Sequence, residues 1–225
     1  MIPTTPSREE LPDPAPAPPE RAALRWYLRL VRNHLGRGPY LDVDGAGGAL
    51  LAGLARLGPA SGLAGSEQRA AAMRAGAPGC PVHRTAAGLP GPIATLTAVE
   101  VLDRLPDDGL AGDTGPGGWF RVLEPGGCAL VVAADAEGRG RDLAGARWPA
   151  PPVPRGHVRI RELLVDAGFE IVREGSDALT GGPYGGVPVL LDPRTAPART
   201  QRSSGRLTLP VGAGERAVIV ARKPG

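Results

Sequence analysis

Aromatic residues and lysine are scarce in this sequence, and each shortage narrows what the protein can be. Aromatic residues make up 4% of the 225, so leucine, valine and alanine must supply most of an apolar core. Lys223 is the only lysine among 26 basic residues, and the arginines are scattered along the chain. The net charge of +3 therefore comes without the clustered basic and aromatic surface typical of nucleic-acid binding, and we expect no nucleic-acid partner.

Cysteines and long apolar runs are also few. Cys80 and Cys128 lie far apart, with no Cys-x-x-Cys motif and no histidine pair nearby, so we expect two buried thiols in a reducing compartment and no metal site. No run approaches the roughly 18 apolar residues that a membrane-spanning helix needs. The N-terminus has no apolar stretch that would indicate a signal peptide or an anchor. These absences predict a soluble, cytoplasmic protein without a membrane partner.

Glycine and proline, in contrast, are abundant, which predicts long irregular segments. The chain contains 34 glycines and 26 prolines. Residues 1–19 are polar and rich in proline, and we expect them to be disordered. Residues 20–225 have the length of a single domain, within which residues 174–214 are weakly patterned and read as a long loop before the last strand.

Short strand-like and helix-like segments alternate along this domain. Residues 20–35 carry apolar side chains at helical spacing, whereas 127–133 are continuously apolar, as expected of a strand covered on both faces. Residues 100–105 read as a helical turn or two, with Glu100 and Asp103 on a solvated face. The predicted strands lie near 40–43, 60–64, 80–84, 92–97, 127–133, 169–173 and 216–222. This alternation predicts an α/β fold with a mostly parallel, seven-stranded sheet and helices on both faces.

A glycine-rich loop follows the first predicted strand. The stretch YLDVDGAGGALLAGLARLG, residues 40–58, combines a strand, a glycine cluster and a helical pattern, an arrangement that brings bare backbone N–H groups close to a nucleotide. The dinucleotide fingerprint G-x-G-x-x-G fails here, because counting from Gly45 and Gly47 places Leu50 at its third glycine. The loop therefore disfavours a dehydrogenase.

Four segments, in order, carry a resemblance to a known family. RVLEPGG at 121–127 is similar to the R-V-L-x-P-G-G turn of class I S-adenosylmethionine-dependent methyltransferases. LDVDGAGG, TAVEVLDRLPDD and GHVRIRELLVDAGFEIV resemble the family's cofactor loop, the segment after its fourth strand and a later helix with its strand. The match covers residues 40–173 without reordering. It implies a Rossmann-like fold with an antiparallel last strand, S-adenosylmethionine as the cofactor and methyl transfer to a small-molecule acceptor.

The resemblance also implies where the site residues lie. His157 stands where the family often has histidine and is a candidate base or acceptor-binding residue; the alternative is a residue that supports the following helix. Ser66 is also a plausible helix cap, and Thr97 is as readily structural. No metal is implied. The implied cofactor-binding residues are Asp42, Asp44, Gly45, Gly47, Gly48, Ser66 and Thr97.

Several positions depart from the family pattern. Asp44 and Ala46 stand where the family has glycine. Ala64 stands where an acidic residue at the end of the second strand binds both ribose hydroxyls, and Glu67 follows three residues later. These departures leave an alternative open, in which the chain is a catalytically inactive relative that serves as a binding or partner module. We expect a monomer or a weak dimer in either case.

Overall fold

The computed structural model of the chain describes residues 21–138, 152–177, 203–207, 209–214 and 216–225. The expected disorder of residues 1–19 lies outside these stretches, as does most of the predicted loop 174–214. The beginning of that loop was placed wrongly, because residues 174–177 continue the sixth strand.

Seven strands and five α-helices order the described residues. The strands are β1 (Tyr40–Val43), β2 (Ala60–Leu63), β3 (Val82–His83), β4 (Ile93–Val99), β5 (Leu123–Ala134), β6 (Glu170–Asp177) and β7 (Arg216–Arg222). The helices are α1 (Arg21–Leu30, continued by the π-helical turn Val31–Leu35), α2 (Ala49–Ala55), α3 (Glu67–Gly76), α4 (Pro116–Val122) and α5 (His157–Asp166). No helix in these stretches is both long and apolar enough to cross a membrane.

All seven strands form one sheet in the order β3-β2-β1-β4-β5-β7-β6. Neighbouring strands are parallel from β3 through β5, whereas β7 runs antiparallel to both β5 and β6. The predicted mostly parallel sheet and its antiparallel last strand are therefore confirmed. The strand order reverses between β1 and β4, and the carboxyl edge at such a reversal is where open α/β sheets bind ligands.

Helices cover both faces of the sheet, as the continuous apolar run in β5 predicted. Val131 packs in a cluster with Trp119 of α4 and Ile160 of α5, whereas Val132 packs on the opposite face with Trp26 of α1. Successive side chains of a strand point to opposite faces, so a strand buried on both must be apolar throughout. This packing holds the carboxyl ends of β1, β4 and β5 in fixed positions.

The segment after β4 keeps the predicted helical turn but not its solvated face. Residues 101–105 form one helical turn, in which the Leu105 N–H donates to the Val101 carbonyl at 3.2 Å, and Glu100 before it has φ +59. Glu100 is ion-paired with Arg216 at 2.6 Å rather than solvated. Asp103 is buried, accepts the Ala134 N–H at 2.8 Å, and its pKa is raised to about 6 by burial. The prediction of a solvated face was wrong. Instead, Asp103 connects this turn to the end of β5 through its hydrogen bond with Ala134.

Both cysteines are free, and they are half-buried rather than buried as predicted. Cys80 lies in the turn between α3 and β3, and Cys128 lies near the beginning of the paired part of β5, where a neighbouring carbonyl, that of Gly126, accepts from its thiol at 3.7 Å. Partial burial raises the pKa of Cys128. Their apolar sequence neighbours suggested full burial. However, Cys80 lies in a turn and Cys128 lies near the beginning of the paired part of β5, and both side chains remain partly exposed.

Candidate functional site

The loop between β1 and α2 keeps an unusual backbone. Three residues have positive φ: Asp44 at +50, Gly47 at +63 and Gly48 at +73. A left-handed conformation costs a residue with a side chain about 1–2 kcal/mol, and Asp and Asn adopt it more readily than other such residues. The loop therefore holds a glycine-like conformation at position 44 without glycine.

Gly47 and Gly48 face different surroundings. A Cβ atom on Gly48 would overlap the carbonyl oxygen of Met73 and lie 3.1 Å from the Ala77 nitrogen, so Gly48 lets the loop pack on the end of α3. Gly47 has nothing within 4 Å of its Cβ position. The space beside Gly47 is therefore open to the close approach of a ligand, whereas Gly48 is needed for packing against α3.

Asp42 lies under the loop and is fully buried. The Thr97 hydroxyl on β4 donates to its Oδ1 at 2.8 Å, so the structure brings these two predicted residues together. A Cβ atom on Gly45 would lie 2.8 Å from the Asp42 Cγ, which explains why position 45 must be glycine. Burial raises the Asp42 pKa to about 7, partly offset by the Thr97 hydrogen bond, and the Oδ2 atom has no hydrogen-bond partner.

Asp44 connects the ends of three strands. Its Oδ1 accepts the Gly65 N–H at 3.0 Å, just beyond β2. Its Oδ2 lies 3.1 Å from Arg69 Nε on α3 and 3.6 Å from the guanidinium of Arg104, in the turn after β4. Arg104 also donates to the Asp44 carbonyl at 3.2 Å. We call Asp44, Arg69 and Arg104 the ion cluster; it lies at the carboxyl edge where the strand order reverses.

The ion cluster is largely withdrawn from solvent. The side chains of Asp44 and Arg69 are each 11% exposed, and that of Arg104 is 16% exposed. Burial, and next the charge of Arg69, lower the pKa of Arg104. One carboxylate shared by two guanidinium groups leaves the cluster with a net charge of +1. The cluster therefore combines an anionic group with excess positive charge at one edge of the sheet.

Comparison with known proteins identifies the fold. No protein-family model matches the sequence, and a search of curated proteins finds no similar chain. The CcbJ methyltransferase from Streptomyces caelestis matches with a TM-score of 0.59 and 17% identity, covering 96% of this chain and 94% of that one. The chain has the class I S-adenosylmethionine-dependent methyltransferase fold.

Two further solved structures show how broadly this methyltransferase fold is used. A Thermotoga maritima methyltransferase, described as a possible histamine N-methyltransferase, matches with a TM-score of 0.58 at 19% identity over 90% of both chains. The [4+2]-cyclase SpnF has a TM-score of 0.58 at 21% identity, covering 95% of this chain and 86% of that one. Because one fold hosts different reactions, the chemistry must be argued from the site.

The end of β2 carries Ala64 in place of the acidic residue that the family resemblance implies there. Ala64 is buried and has no group that accepts from a ribose hydroxyl. Glu67 faces outward, 2.8 Å from Arg74 and 3.5 Å from Arg84. Asp44, by contrast, brings its carboxylate to the Gly65 amide, directly after Ala64. A carboxylate is thus present at the end of β2 although β2 does not carry it.

The remaining predicted site residues have structural partners. Ser66 is the N-cap of α3 and accepts the Arg69 N–H at 3.2 Å, which confirms the predicted cap. His157 is the buried first residue of α5, and its backbone N–H donates to Asp135 at 3.1 Å. Its Nε2 lies 3.2 Å from Glu174 of β6. His157 thus belongs to a group at the carboxyl end of β5, and a part in catalysis stays a prediction.

Two members of the ion cluster were missed in the sequence. Arg104 lies in the segment TAVEVLDRLPDD, which carries part of the family resemblance, but nothing in the sequence indicated a contact with Asp44. Nothing in the sequence indicated a role for Arg69, because an arginine in a predicted helix is most simply read as solvent-facing. Only the packing of α3 against the loop brings its guanidinium to Asp44. Within the described residues, no group of three or more His, Cys, Asp or Glu is arranged to hold a metal ion.

Proposed function

We propose that the protein binds S-adenosylmethionine at the β1 loop and transfers its methyl group to a small-molecule acceptor, with Asp44 in place of the acidic residue at the end of β2. The observation that carries this proposal is the Asp44 carboxylate at the Gly65 amide. With Ala64, the end of β2 has no carboxylate that could accept from the ribose hydroxyls. Asp44 would supply that carboxylate from the end of the neighbouring strand, β1.

The groups present fit the cofactor's chemistry. An ionised carboxylate has about four lone-pair sites, and three donors of this chain lie near that of Asp44, so it retains capacity for a ribose hydroxyl. Arg104 carries positive charge suited to the carboxylate of the cofactor's methionine part. The open side of Gly47 allows backbone approach to a ligand.

The chain's contribution to the reaction would be mainly positional. Bound S-adenosylmethionine supplies a methyl group already activated on a sulfonium. The protein then needs to hold donor and acceptor in line and exclude water, which can provide much of the rate enhancement without a dedicated base. Asp42 and Thr97 would hold the loop in place from below, through their 2.8 Å hydrogen bond.

A second candidate function rests on the same cluster. The Asp44 side chain is only 11% exposed and already meets Gly65, Arg69 and Arg104. If these internal partners are never exchanged for a ligand, the protein is a catalytically inactive methyltransferase-fold module that binds something other than S-adenosylmethionine.

Calorimetric titration with S-adenosylmethionine and S-adenosylhomocysteine separates the two candidates. We expect wild type to bind both, and Asp44→Asn to weaken binding roughly tenfold or more, since a hydrogen bond to a charged group contributes about 1.5–3 kcal/mol. Asn tolerates positive φ and keeps an oxygen for the Gly65 amide, so the loop conformation is preserved.

Relocating the carboxylate provides the sharper test. Asp44→Gly should lose binding, and adding Ala64→Asp should restore it, because the acceptor then returns to β2. The matched control is Glu67→Gln, which removes an exposed carboxylate near the same helix and should leave affinity unchanged. Absence of binding by wild type together with gain in the double variant would establish the inactive relative. Tighter binding by Asp44→Gly alone would show that Asp44 obstructs the site.

A further inference from the structure

A cavity lies at the carboxyl end of β5, around the beginning of α5. It has a volume of about 570 Å³. Asp135, Glu137 and His157 supply its polar lining, and Val158 and Val211 supply apolar walls. Val158 is 60% exposed, Val211 is 44% exposed and Glu137 is also exposed, whereas Asp135 and His157 are buried.

Two buried polar atoms of the residues that line this cavity lack partners. Asp135 is 8% exposed; its Oδ1 accepts the backbone N–H groups of Glu137 and His157, but its Oδ2 accepts from nothing. The His157 side chain is 5% exposed, and its Nδ1 has no partner either. Unpaired buried polar atoms are costly, and in native proteins such an atom calls for an explanation, a bound ligand being one.

In its neutral form, His157 offers Nδ1 as an acceptor beside the Asp135 Oδ2. Glu174 lies 3.2 Å from the His157 Nε2, and a carboxylate can only accept, so the neutral tautomer that fits this contact carries its proton on Nε2. The Nδ1 atom then presents a lone pair. The Asp135 Oδ2 is likewise an acceptor. A ligand that satisfies both must therefore donate.

The charges around the cavity favour a cationic donor. Asp135 and Glu137 bring two carboxylates to the N-terminus of α5, whose dipole amounts to about half a positive charge. The Glu137 carboxylate lies over Gly156, where an added Cβ would be 2.5 Å from its Cδ. Among the described residues that line the cavity there is no lysine or arginine. The charge carried by these described lining residues is therefore negative.

The neighbouring arginines are engaged elsewhere. The Arg155 guanidinium donates to the Leu102 and Leu105 carbonyls and to Asp107. Arg159 pairs with Glu162 at 3.3 Å, and Arg161 lies 3.5 Å from Glu174. None of these contacts involves Asp135 or Glu137, so no cation among the described residues neutralises the two carboxylates.

We propose that this cavity binds a small organic cation, a protonated primary amine on an apolar body, with Asp135, Glu137 and His157 accepting from the ammonium group and Val158 and Val211 covering the apolar part. The proposal is independent of S-adenosylmethionine binding, because it rests on residues that follow β5, begin α5 and precede β7.

Phenethylamine tests this with two isosteres of different charge, 2-phenylethanol and 3-phenylpropanoate. Binding to the full chain is measured by calorimetry or by ligand-observed NMR, without S-adenosylmethionine. We expect saturable millimolar binding of phenethylamine, at least tenfold weaker binding of the alcohol, and none of the carboxylate. Equal affinity for the amine and the alcohol, or no saturable binding of the amine, overturns the proposal.

Substitutions locate the site. Glu137→Gln should weaken phenethylamine binding roughly threefold or more, the scale of an exposed ion pair. The matched control, Glu162→Gln, removes an exposed carboxylate from α5, outside the residues that line the cavity, and should have no effect. His157→Gln should also weaken binding, since it removes the Nδ1 acceptor while retaining a polar partner for Glu174. Equal effects of Glu137→Gln and Glu162→Gln would place the amine elsewhere.

Discussion

Replacing Gly48 with alanine tests the packing of the β1–α2 loop on α3. The added Cβ would overlap the Met73 carbonyl oxygen and lie 3.1 Å from both the Met73 carbonyl carbon and the Ala77 nitrogen. All three atoms belong to the backbone of α3 or its cap, so no side-chain rotation can relieve the contact. The loop or the end of the helix must move.

The expected cost has two parts. Gly48 has φ +73, and a left-handed conformation costs alanine about 1–2 kcal/mol. Displacing packed backbone adds about 1–3 kcal/mol, by analogy with overpacked cores. Gly47→Ala is the matched control: its φ is +63, but nothing lies within 4 Å of the new atom, so only the first part applies.

Thermal or urea unfolding of the two variants measures the difference. We expect Gly48→Ala to be less stable than Gly47→Ala by at least about 1 kcal/mol, or roughly 2–4 °C in melting temperature for a chain of this size. Equal stability would refute the assigned loop–helix contact. The pair also separates binding from folding, because Gly47→Ala should impair S-adenosylmethionine binding with the smaller loss of stability.

Two further predictions concern buried ionisable groups. Because burial raises the folded-state pKa of Asp42 to about 7 from 3.8, the native state holds this proton more tightly than the unfolded chain, so its contribution to stability falls as pH rises from about 4 to 7. Wild-type stability relative to Asp42→Asn should therefore decline over that range in urea unfolding, and a constant difference would contradict the burial. Tyr27→Phe should cost about 1.5–3 kcal/mol, because the fully buried Tyr27 hydroxyl donates to Asp177 at 3.0 Å; chemical denaturation checks this, and a loss below about 0.5 kcal/mol would show that the carboxylate finds another donor.

The fold was predictable because its signals are local. Strands and helices differ in hydrophobic period, and the continuous apolar run in β5 indicated that both of its faces are buried. Each predicted strand is present, with ends that differ by a few residues. The engagement of Glu100 was missed because its ion-pair partner, Arg216, lies more than a hundred residues away in the sequence.

The sequence by itself determined the alternation of elements, the glycine loop after β1, the cap at Ser66 and the absence of an acidic residue at Ala64. Tertiary structure alone decided which carboxylate lies at the end of β2. In the sequence, Asp44 is only a departure from the glycine expected in this loop. In the fold, the parallel pairing of β1 with β2 brings Gly65 within 3.0 Å of its carboxylate, and α3 and the turn after β4 bring Arg69 and Arg104. Sequence patterns report the backbone conformation and burial of nearby residues, whereas the partners of a polar side chain depend on which strand ends lie side by side.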